Sequence, residues 1–511
     1  MDSEHDPLLS THQPLPTEGK KESKTKLTPF VLSITLISGL SSMLSGYETG
    51  VTSAALVSIG SSLSGRDLTS IDKAMITSAT AFCALFTAPF ASLLADKFGR
   101  KRLMLYADIL FITASVFLAF CKTITFAIIG RCIIGMAVAF SSVVVPLYIA
   151  EIAPASRRGM LITATILLTT LGQIVGFMTA TMFAAWGLKA TGWRWTFALG
   201  AVPASTQGLL ISFMPDTPRW LVMVGRVTEA RRVLHRIYGN DTNSEHLTNT
   251  LIDNIQADVG ELRTARQSRR QAGQGRFQFL DPWKELLSQH RYRRGLAIAI
   301  LLMVLQQFSG FTSLMYFSAT IFELVGFKNP TLASVAIAST NFTFTAISLV
   351  LIDRVGRRRM LLRSLPFMIL GLFLAAAGFH SLSTGVSPTL PQQPDHGSGA
   401  IIVLISIVLF VASFALGLGN VPSMQSELYP LAVRSLGSGV AMATAWSSNF
   451  IIGLTFLPLT DILTPTWTMV LYAGLCIVGY YLIYLMYPET AGLSIEEAAE
   501  LLEHGWTVKK S

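Results

Sequence analysis

Two short stretches decide the fold: residues 96–102 read DKFGRKR, and residues 353–359 read DRVGRRR. They lie about half the chain apart, and each sits between two long apolar runs. Two looser copies follow at similar spacing, namely EIAPASRRG at 151–159 with ELYPLAVRS at 427–435, and PDTPR at 215–219 with PET at 488–490. Internal repetition at this period predicts a chain built from two related halves.

The segments around these repeats are strongly apolar. Of 511 residues, 51% are hydrophobic and only 14% are charged, and the mean hydropathy is +0.52. Soluble domains carry about 25% charged residues, so this composition argues against a soluble enzyme. A membrane helix needs about 20 apolar residues. Twelve such runs occur, at 29–56, 74–95, 103–121, 125–150, 160–182, 195–214, 295–323, 331–352, 360–382, 400–426, 434–458 and 468–487.

The sequence therefore predicts an all-α membrane protein with twelve transmembrane helices in two six-helix halves. Polar segments divide it into an N-terminal tail (1–28), an N-terminal half (29–214), a linker with short helices (215–294), a C-terminal half (295–487) and a C-terminal tail (488–511). Because the first 27 residues lack the apolar core of a signal peptide, we expect both tails and the linker in the cytosol.

The basic residues support this orientation. The clusters at 97–102, 157–158, 219–294 and 354–359 all fall on the side of the N-terminus, as the positive-inside rule requires. The formal charge of +9 is thus explained by orientation in a bilayer, and we expect no nucleic-acid partner. Neither the four cysteines nor the eight histidines have metal-ligand spacing, and no G-x-x-x-x-G-K-[ST] string occurs. We expect no metal, no cofactor and no ATP hydrolysis.

Two charged residues stand out inside the predicted spans. Glu48 shares a helix face with Ser41, Ser45 and Thr52, and Arg131 lies at a depth where it can meet Glu48. An intramembrane charge costs about 2.5–3.5 kcal/mol on insertion scales, so it needs a partner or a wet cavity. An acid that alternates between an ion pair and a protonated form can couple protons to a solute. A static ion pair between two helices is the alternative.

Amide side chains mark three further polar stripes on apolar helices. Amides both donate and accept hydrogen bonds, as the hydroxyls of a polyol require. Taken alone, each stripe is about as consistent with hydrogen bonding between helices as with binding of a polyol. The stripes are Gln173 with Thr165 and Thr169, Gln306 with Ser309, Ser313 and Tyr316, and Asn341 with Ser334, Thr345 and Ser348.

Taken together, the motifs resemble the sugar porter branch of the major facilitator superfamily over nearly the whole chain. The strings that carry this resemblance, besides the repeats, are GYETG at 46–50, the segment 130–154, GWRW at 192–195, QQFSGF at 306–311 and YPET at 487–490. Within the branch, LVSIG at 56–60, the segment 313–330 and STNFTFT at 339–345 are most similar to fungal myo-inositol transporters.

The resemblance implies a substrate site between the two halves. Its implied members are the amides Gln173, Gln306, Gln307 and Asn341, with Thr312, the walls Tyr316 and Phe317, and Trp446 as a stacking platform. Four positions depart from the family pattern: Glu48 replaces the usual aspartate, Thr312 an asparagine, Ser423 a tryptophan and Ala445 an amide. The departures at Thr312, Ser423 and Ala445 remove two amides and an indole ring from the expected pocket.

Paired acids and arginines at the cytosolic helix ends predict a gate between the halves. The pairs are Asp96 with Arg100, Glu151 with Arg157, Asp353 with Arg357, and Glu427 with Arg434. Single surface pairs contribute about 0–1 kcal/mol, so only a network of them would hold the halves together. Simple anchoring by positive charge is the alternative.

The leading hypothesis is a secondary active transporter that moves a myo-inositol-like polyol or a sugar, together with protons, across a lipid bilayer. The alternatives are an uncoupled facilitator of the same substrates and a porter-like nutrient receptor. We expect the plasma membrane as its location. The vacuolar membrane is the alternative, because Glu4 followed by Leu8 and Leu9 matches an acidic dileucine signal.

Overall fold

The computed structural model describes residues 28–154, 157–188, 191–239, 242–271, 287, 290–384, 398–424, 428 and 431–489. The first half contains α1 (Pro29–Ser58), α2 (Ser70–Phe98), α3 (Arg100–Phe120), α4 (Ile124–Ile152), α5 (Arg158–Ala185), α6 (Gly192–Leu199) and α7 (Ala201–Ser212). The linker contains α8 (Pro218–Met223), α9 (Val227–Tyr238) and α10 (Thr242–Gln271). The second half contains α11 (His290–Phe308), α12 (Phe311–Leu324), α13 (Pro330–Val355), α14 (Arg357–Thr384), α15 (Ser398–Leu416), α16 (Val421–Met424) and α17 (Leu431–Met486).

Ten segments of the described chain are long and apolar enough to cross a bilayer. One of them, Leu436–Met486, provides two crossings, because its backbone leaves helical geometry at Thr464 (φ 66°, ψ 156°) and folds back. The Thr468 hydroxyl accordingly reaches the Leu459 carbonyl oxygen at 3.3 Å. The remaining crossing is formed by α6 and α7, which are separated at Gly200. The predicted twelve-helix membrane fold is confirmed.

Close approach of small residues fixes the helix order inside the first half. At the crossing of α1 and α5, a Cβ atom on Gly46 would lie 1.8 Å from the Thr169 carbonyl oxygen, and one on Gly172 1.9 Å from that of Met43. Only glycine permits such backbone contact, which membrane helices use in place of hydrophobic association. The contact places Gln173, the neighbour of Gly172, close to the helix that carries Glu48.

The linker helices pack against the first half. The buried side of α9 consists of Ala230, Val233, Leu234 and Ile237, which follow the spacing of one helix face. These residues join a core cluster with Val31 of α1, among others from the first half. We call this side of the bundle the linker face and the opposite side the far face.

The outer surface of the bundle is apolar. Large side chains such as Phe86, Phe90 and Phe213 are 58%, 60% and 81% exposed, and Ile405 of the second half is 61% exposed. A surface of this kind is unfavourable in water and suited to hydrocarbon. The protein therefore spans a membrane many times.

Candidate functional site

A buried ion pair joins α1 to α4 in the far-face part of the first half. Arg131 Nη1 donates to Glu48 Oε2 at 3.0 Å, and the two side chains are 1% and 3% exposed. The structure thus brings together the two intramembrane charges that the sequence singles out. Removing one partner of such a buried pair costs about 3–5 kcal/mol, because the other charge is then left buried without a partner.

The pair leaves part of its hydrogen-bonding capacity unused. Within the described residues, Glu48 Oε1 and the Nε and Nη2 atoms of Arg131 have no hydrogen-bond partner. Arg131 also borders a small cavity lined by apolar groups such as Trp193 and by Thr52 of α1. The unused acceptor Glu48 Oε1 can take up a proton, which would neutralise the carboxylate of the pair.

Two of the predicted amides meet between the halves. Asn341 Nδ2 on α13 donates to Gln173 Oε1 on α5 at 2.9 Å, and the two residues are 4% and 8% exposed. Gln173 belongs to the first half and Asn341 to the second. Each amide retains atoms that are free to bind other groups, so the contact forms a polar bridge that a solute with several hydroxyls can replace.

The other predicted amides are held within the second half. Gln306 Nε2 donates to the Leu418 carbonyl oxygen at 2.9 Å, and Gln307 Oε1 accepts from the Thr312 hydroxyl at 2.7 Å. Gly310, with φ of +87°, interrupts the helix between Gln307 and Thr312 and begins α12. The chain therefore bends at this glycine, and the bend lets these two side chains meet.

The predicted aromatic residues have different surroundings. Tyr316 is half-buried, whereas Phe317 is completely buried and stacks on Phe456 with ring centroids 5.6 Å apart. In this structure Phe317 belongs to the hydrophobic core. Trp446 of the second half packs against a cluster of alanines that includes Ala84 and Ala139 of the first half. Its indole Nε1 has no hydrogen-bond partner within the described chain.

Hydroxyl contacts between the halves were not predicted. Ser53 Oγ of α1 lies 3.2 Å from Ser318 Oγ of α12 and accepts from the Ala319 backbone N–H at 3.3 Å. Near the far face, the Thr181 hydroxyl donates to that of Thr331 at 3.3 Å. Serine and threonine are common in membrane helices, so their positions in the sequence gave no usable signal.

Three of the four predicted gate residues of the first half, namely Asp96, Arg100 and Glu151, form a compact ionic cluster at the linker face. Arg100 Nη2 lies 2.9 Å from Asp96 Oδ1 and 2.9 Å from Glu151 Oε1. The side chain of Arg100 is only 4% exposed, whereas that of Asp96 is 52% exposed. Glu151 therefore pairs with Arg100, whereas the sequence paired it with Arg157. All three partners belong to the first half, so the cluster does not bridge the halves in this conformation.

Two carboxylates that cap helix N-termini complete this region, and their capping role was not predicted from the sequence. Asp216 Oδ1 accepts from the backbone N–H groups of Arg100 (3.1 Å) and Lys101 (3.3 Å), at the N-terminus of α3. Glu489 accepts in the same way from Arg357 (2.9 Å) and its two successors at the start of α14. A negative charge is favourable there because the first N–H groups of a helix lack partners. The signal was the repeat of PDTPR and PET, whose acids lie at corresponding positions.

Burial raises the pKa of Asp216, while the backbone N–H groups of Lys101, Thr217 and Arg100 lower it. The glycines that precede the two helices, Gly99 and Gly356, have φ of +93° and +95°. A Cβ atom on Gly99 would lie 2.4 Å from Asp216 Oδ2, and one on Gly356 would lie 2.7 Å from Glu489 Oε2. Each turn therefore depends on its glycine for both backbone conformation and space.

The remaining gate predictions fall at the edge of what the structure describes. Arg358 Nη2 donates to the Tyr484 carbonyl oxygen at 2.9 Å beside the Glu489 cap. Glu427 lies outside the described residues, and so do the side chains of Asp353, Arg434 and Ser423. Ala445, where the sequence lacks an expected amide, is 7% exposed.

Comparisons with known proteins agree with this geometry. The family model described as "Sugar (and other) transporter" matches residues 34–502. Myo-inositol transporter 1 of Candida albicans is 39% identical over 497 residues, covering 96% of this chain and 86% of the relative. Myo-inositol transporter 2 of Schizosaccharomyces pombe is 38% identical over 491 residues, with 95% and 84% coverage.

Among solved structures, the partially occluded inward-open conformation of the xylose transporter XylE from E. coli superposes with a TM-score of 0.73 at 23% identity. The match covers 91% of this chain and all of that one. The proton:xylose symporter XylE bound to 6-bromo-6-deoxy-D-glucose gives 0.71, with 93% and 99% coverage and 23% identity. At this identity the superpositions establish the fold alone.

Proposed function

The chain belongs to the sugar (and other) transporter family, and on that premise we propose that it carries a polyol together with protons by alternating access. It is a multi-pass membrane transporter of a small sugar or polyol, and not an enzyme. Myo-inositol is the first candidate substrate, because it is the solute named for the relatives that match nearly the whole chain.

The observation that carries this proposal is the bridge between Gln173 and Asn341. It lies between the halves, is buried and consists of two groups that each donate and accept. Hydroxyls of a polyol can replace the amide–amide hydrogen bond with bonds to both halves at once. Substrate would then stabilise the state in which the halves approach each other, which is the differential binding that alternating access requires.

The Glu48–Arg131 pair supplies the proposed proton step. Protonation of Glu48 removes the charge that holds Arg131 and thereby loosens α1 from α4. Deprotonation restores the pair. A proton that moves inward gains about 2.3 kcal/mol per 100 mV, enough for roughly fifty-fold accumulation of a neutral solute. The uncoupled facilitator remains the alternative, in which the same pair only holds the two helices together.

The linker face is the proposed cytosolic side, because it carries the ionic cluster around Arg100 and the basic linker. Hydrogen bonds between the halves, such as Ser53–Ser318 and Thr181–Thr331, lie toward the far face. We therefore assign this conformation to the inward-facing part of the cycle. In the outward-facing state the clusters around Arg100 and Arg357 would approach each other and act as the gate. The plasma membrane is the proposed location, with the vacuolar membrane as the alternative.

Uptake of radiolabelled myo-inositol, glucose, xylose and fructose tests the proposal in a transporter-null yeast at two external pH values. We expect one of these solutes to accumulate above equilibrium, and to do so more at acidic pH. Glu48→Gln should abolish accumulation and leave exchange of the same solute intact. Concentrative uptake that is unchanged in Glu48→Gln would remove Glu48 from the coupling step. Equilibration without accumulation in the wild type would favour the facilitator, and flux in proteoliposomes would exclude a pure receptor.

A further inference from the structure

A second carboxyl group lies inside the first half, apart from the Glu48–Arg131 pair. Asp108 is the ninth residue of α3, roughly 12 Å along the helix from its start at the linker face. The residue is 1% exposed, and within the described chain neither carboxyl oxygen has a hydrogen-bond partner. An ionised carboxylate that is buried at this depth without a cation or a donor is strongly unfavourable, so the group must be neutral.

Helix α7 lies beside Asp108, and it also binds α1. Oδ2 lies 3.6 Å from the position of a Cβ on Gly208. The preceding residue, Gln207, is fully buried, and its Nε2 donates to Ser41 Oγ at 2.6 Å and contacts the Ser38 carbonyl oxygen at 3.4 Å. The Oε1 atom of Gln207 has no partner among the described residues. This region therefore contains unused acceptors on two side chains, and a proton on Asp108 adds a donor.

The charged groups on the helices around Asp108 are engaged elsewhere. On α1 and α4, Glu48 and Arg131 bind each other. On α6, Arg194 Nη1 donates to the carbonyl oxygens of Ala119 and Cys121 near the far face. The described part of α7 contains no charged side chain. Other titratable groups on the packed helices include Tyr47, which donates to the Thr196 carbonyl oxygen, and Tyr148, which donates to that of Pro215. At the linker face lie the ionic cluster of Asp96, Arg100 and Glu151, and Lys101, which donates to the Ser212 carbonyl oxygen. Arg102 and Tyr106 of α3 are exposed, and Cys132 of α4 is partly buried.

We propose that Asp108 is a second proton-binding site, which holds a proton in this conformation. The site is linked to α1, because Gln207 binds Ser41, and Ser41 lies two turns before Glu48 on the same helix face. Loss of the proton would place a charge where α1, α3 and α7 pack. The proton at Asp108 thus stabilises the packing of α1, whatever Glu48 does during transport.

The pH dependence of stability provides the first test, on the purified full chain in detergent. A carboxyl that is neutral in the fold and ionised in the unfolded chain makes stability fall as the pH rises. Between about pH 5 and about pH 9, we expect the melting temperature of the wild type to fall relative to that of Asp108→Asn, which cannot lose a proton. Ser115→Ala is the matched control, since Ser115 is buried on the same face of α3 and cannot ionise in this range. A difference between wild type and Asp108→Asn that stays constant with pH overturns the proposal.

Infrared spectroscopy provides the second test and detects the proton directly. In the Glu48→Gln background at neutral pH, we expect a C=O stretching band of a protonated carboxylic acid that disappears on adding Asp108→Asn. If Asp108→Asn does not fold, Asp108→Ser, whose side chain is smaller and also neutral, is used in its place. Absence of the band, or its persistence in both variants, overturns the proposal. Neither test needs substrate or transport, so its failure is distinct from failure of the proposed function.

Discussion

The two halves of the molecule repeat one turn but divide the chemistry between them. At the linker face, Gly99 with Asp216 and Gly356 with Glu489 build the same glycine turn and the same carboxylate cap. In the membrane interior, the first half holds the buried Glu48–Arg131 pair, whereas Asn341 of the second half extends an amide across to the first. The duplicated scaffold is thus retained at the turns that cap helices, and it diverges in the membrane interior, where the proposed proton and solute sites lie.

The largest expected effect concerns the ion pair that distinguishes the first half. Arg131→Met should lower the free energy of unfolding by about 3–5 kcal/mol at neutral pH, because it leaves Glu48 buried without a partner. Chemical or thermal unfolding in detergent measures this change. The loss should shrink at acidic pH, where Glu48 takes up a proton, and in the double variant Glu48→Gln, Arg131→Met.

Arg66→Met is the matched control for the ion pair. Arg66 pairs with Asp72 at 2.6 Å, but its side chain is 52% exposed. Exposed pairs contribute about 0–1 kcal/mol, so the control should be nearly neutral. Equal losses in the two variants would contradict a special role for the buried pair.

A smaller effect is expected at the amide bridge between the halves. Asn341→Ala should raise the KM for the transported polyol about ten- to a hundredfold, because an unpaired buried hydrogen-bonding group costs about 1–3 kcal/mol. Initial uptake rates over a range of substrate concentrations measure it. Thr343→Ala is the control, since Thr343 lies on the exposed side of the same helix, and its hydroxyl donates to the Ser339 carbonyl oxygen of that helix. An unchanged KM in Asn341→Ala would remove this residue from the substrate site.

An effect no larger than that at the amide bridge should be shared by the two glycine turns. Gly99→Ala and Gly356→Ala should each cost about 1–3 kcal/mol of stability, because alanine is strained at these backbone angles. Gly159→Ala is the control, because Gly159 is helical, lies near the linker face and has open space around it. The Gly159→Ala variant should have an unchanged or slightly higher free energy of unfolding. A loss in only one of the two turns would show that the repeated motifs are not equivalent.

The fold could be predicted from the sequence because its two signals can be read without knowing which helices touch. Hydrophobic runs of membrane length and a motif repeated at half-chain spacing suffice to predict twelve helices in two halves. The meeting of Glu48 with Arg131 followed from the cost of unpaired charge in a bilayer, which leaves few alternatives. By the same reasoning Asp108, which lies inside the predicted run 103–121, should have been noticed.

Contacts between distant helices could not be predicted in this way. Periodicity places Phe317 on a helix face but does not reveal that Phe456 covers it. The capping roles of Asp216 and Glu489 depend on where segments more than a hundred residues away in sequence pack. The Gln173–Asn341 bridge was approached only through family resemblance, because a polar stripe does not identify its partner.

The packing of α9 against the first half has a consequence for how the transporter could be observed or controlled. Because Val233, Leu234 and Ile237 of α9 share a core with Val31 of α1, α9 moves together with the first half when the two halves rotate against each other. A fluorophore or a binding protein attached to the outer side of α9 would therefore register the rotation of one half against the other from outside the permeation path. A partner bound at the same place would slow the cycle without competing with substrate.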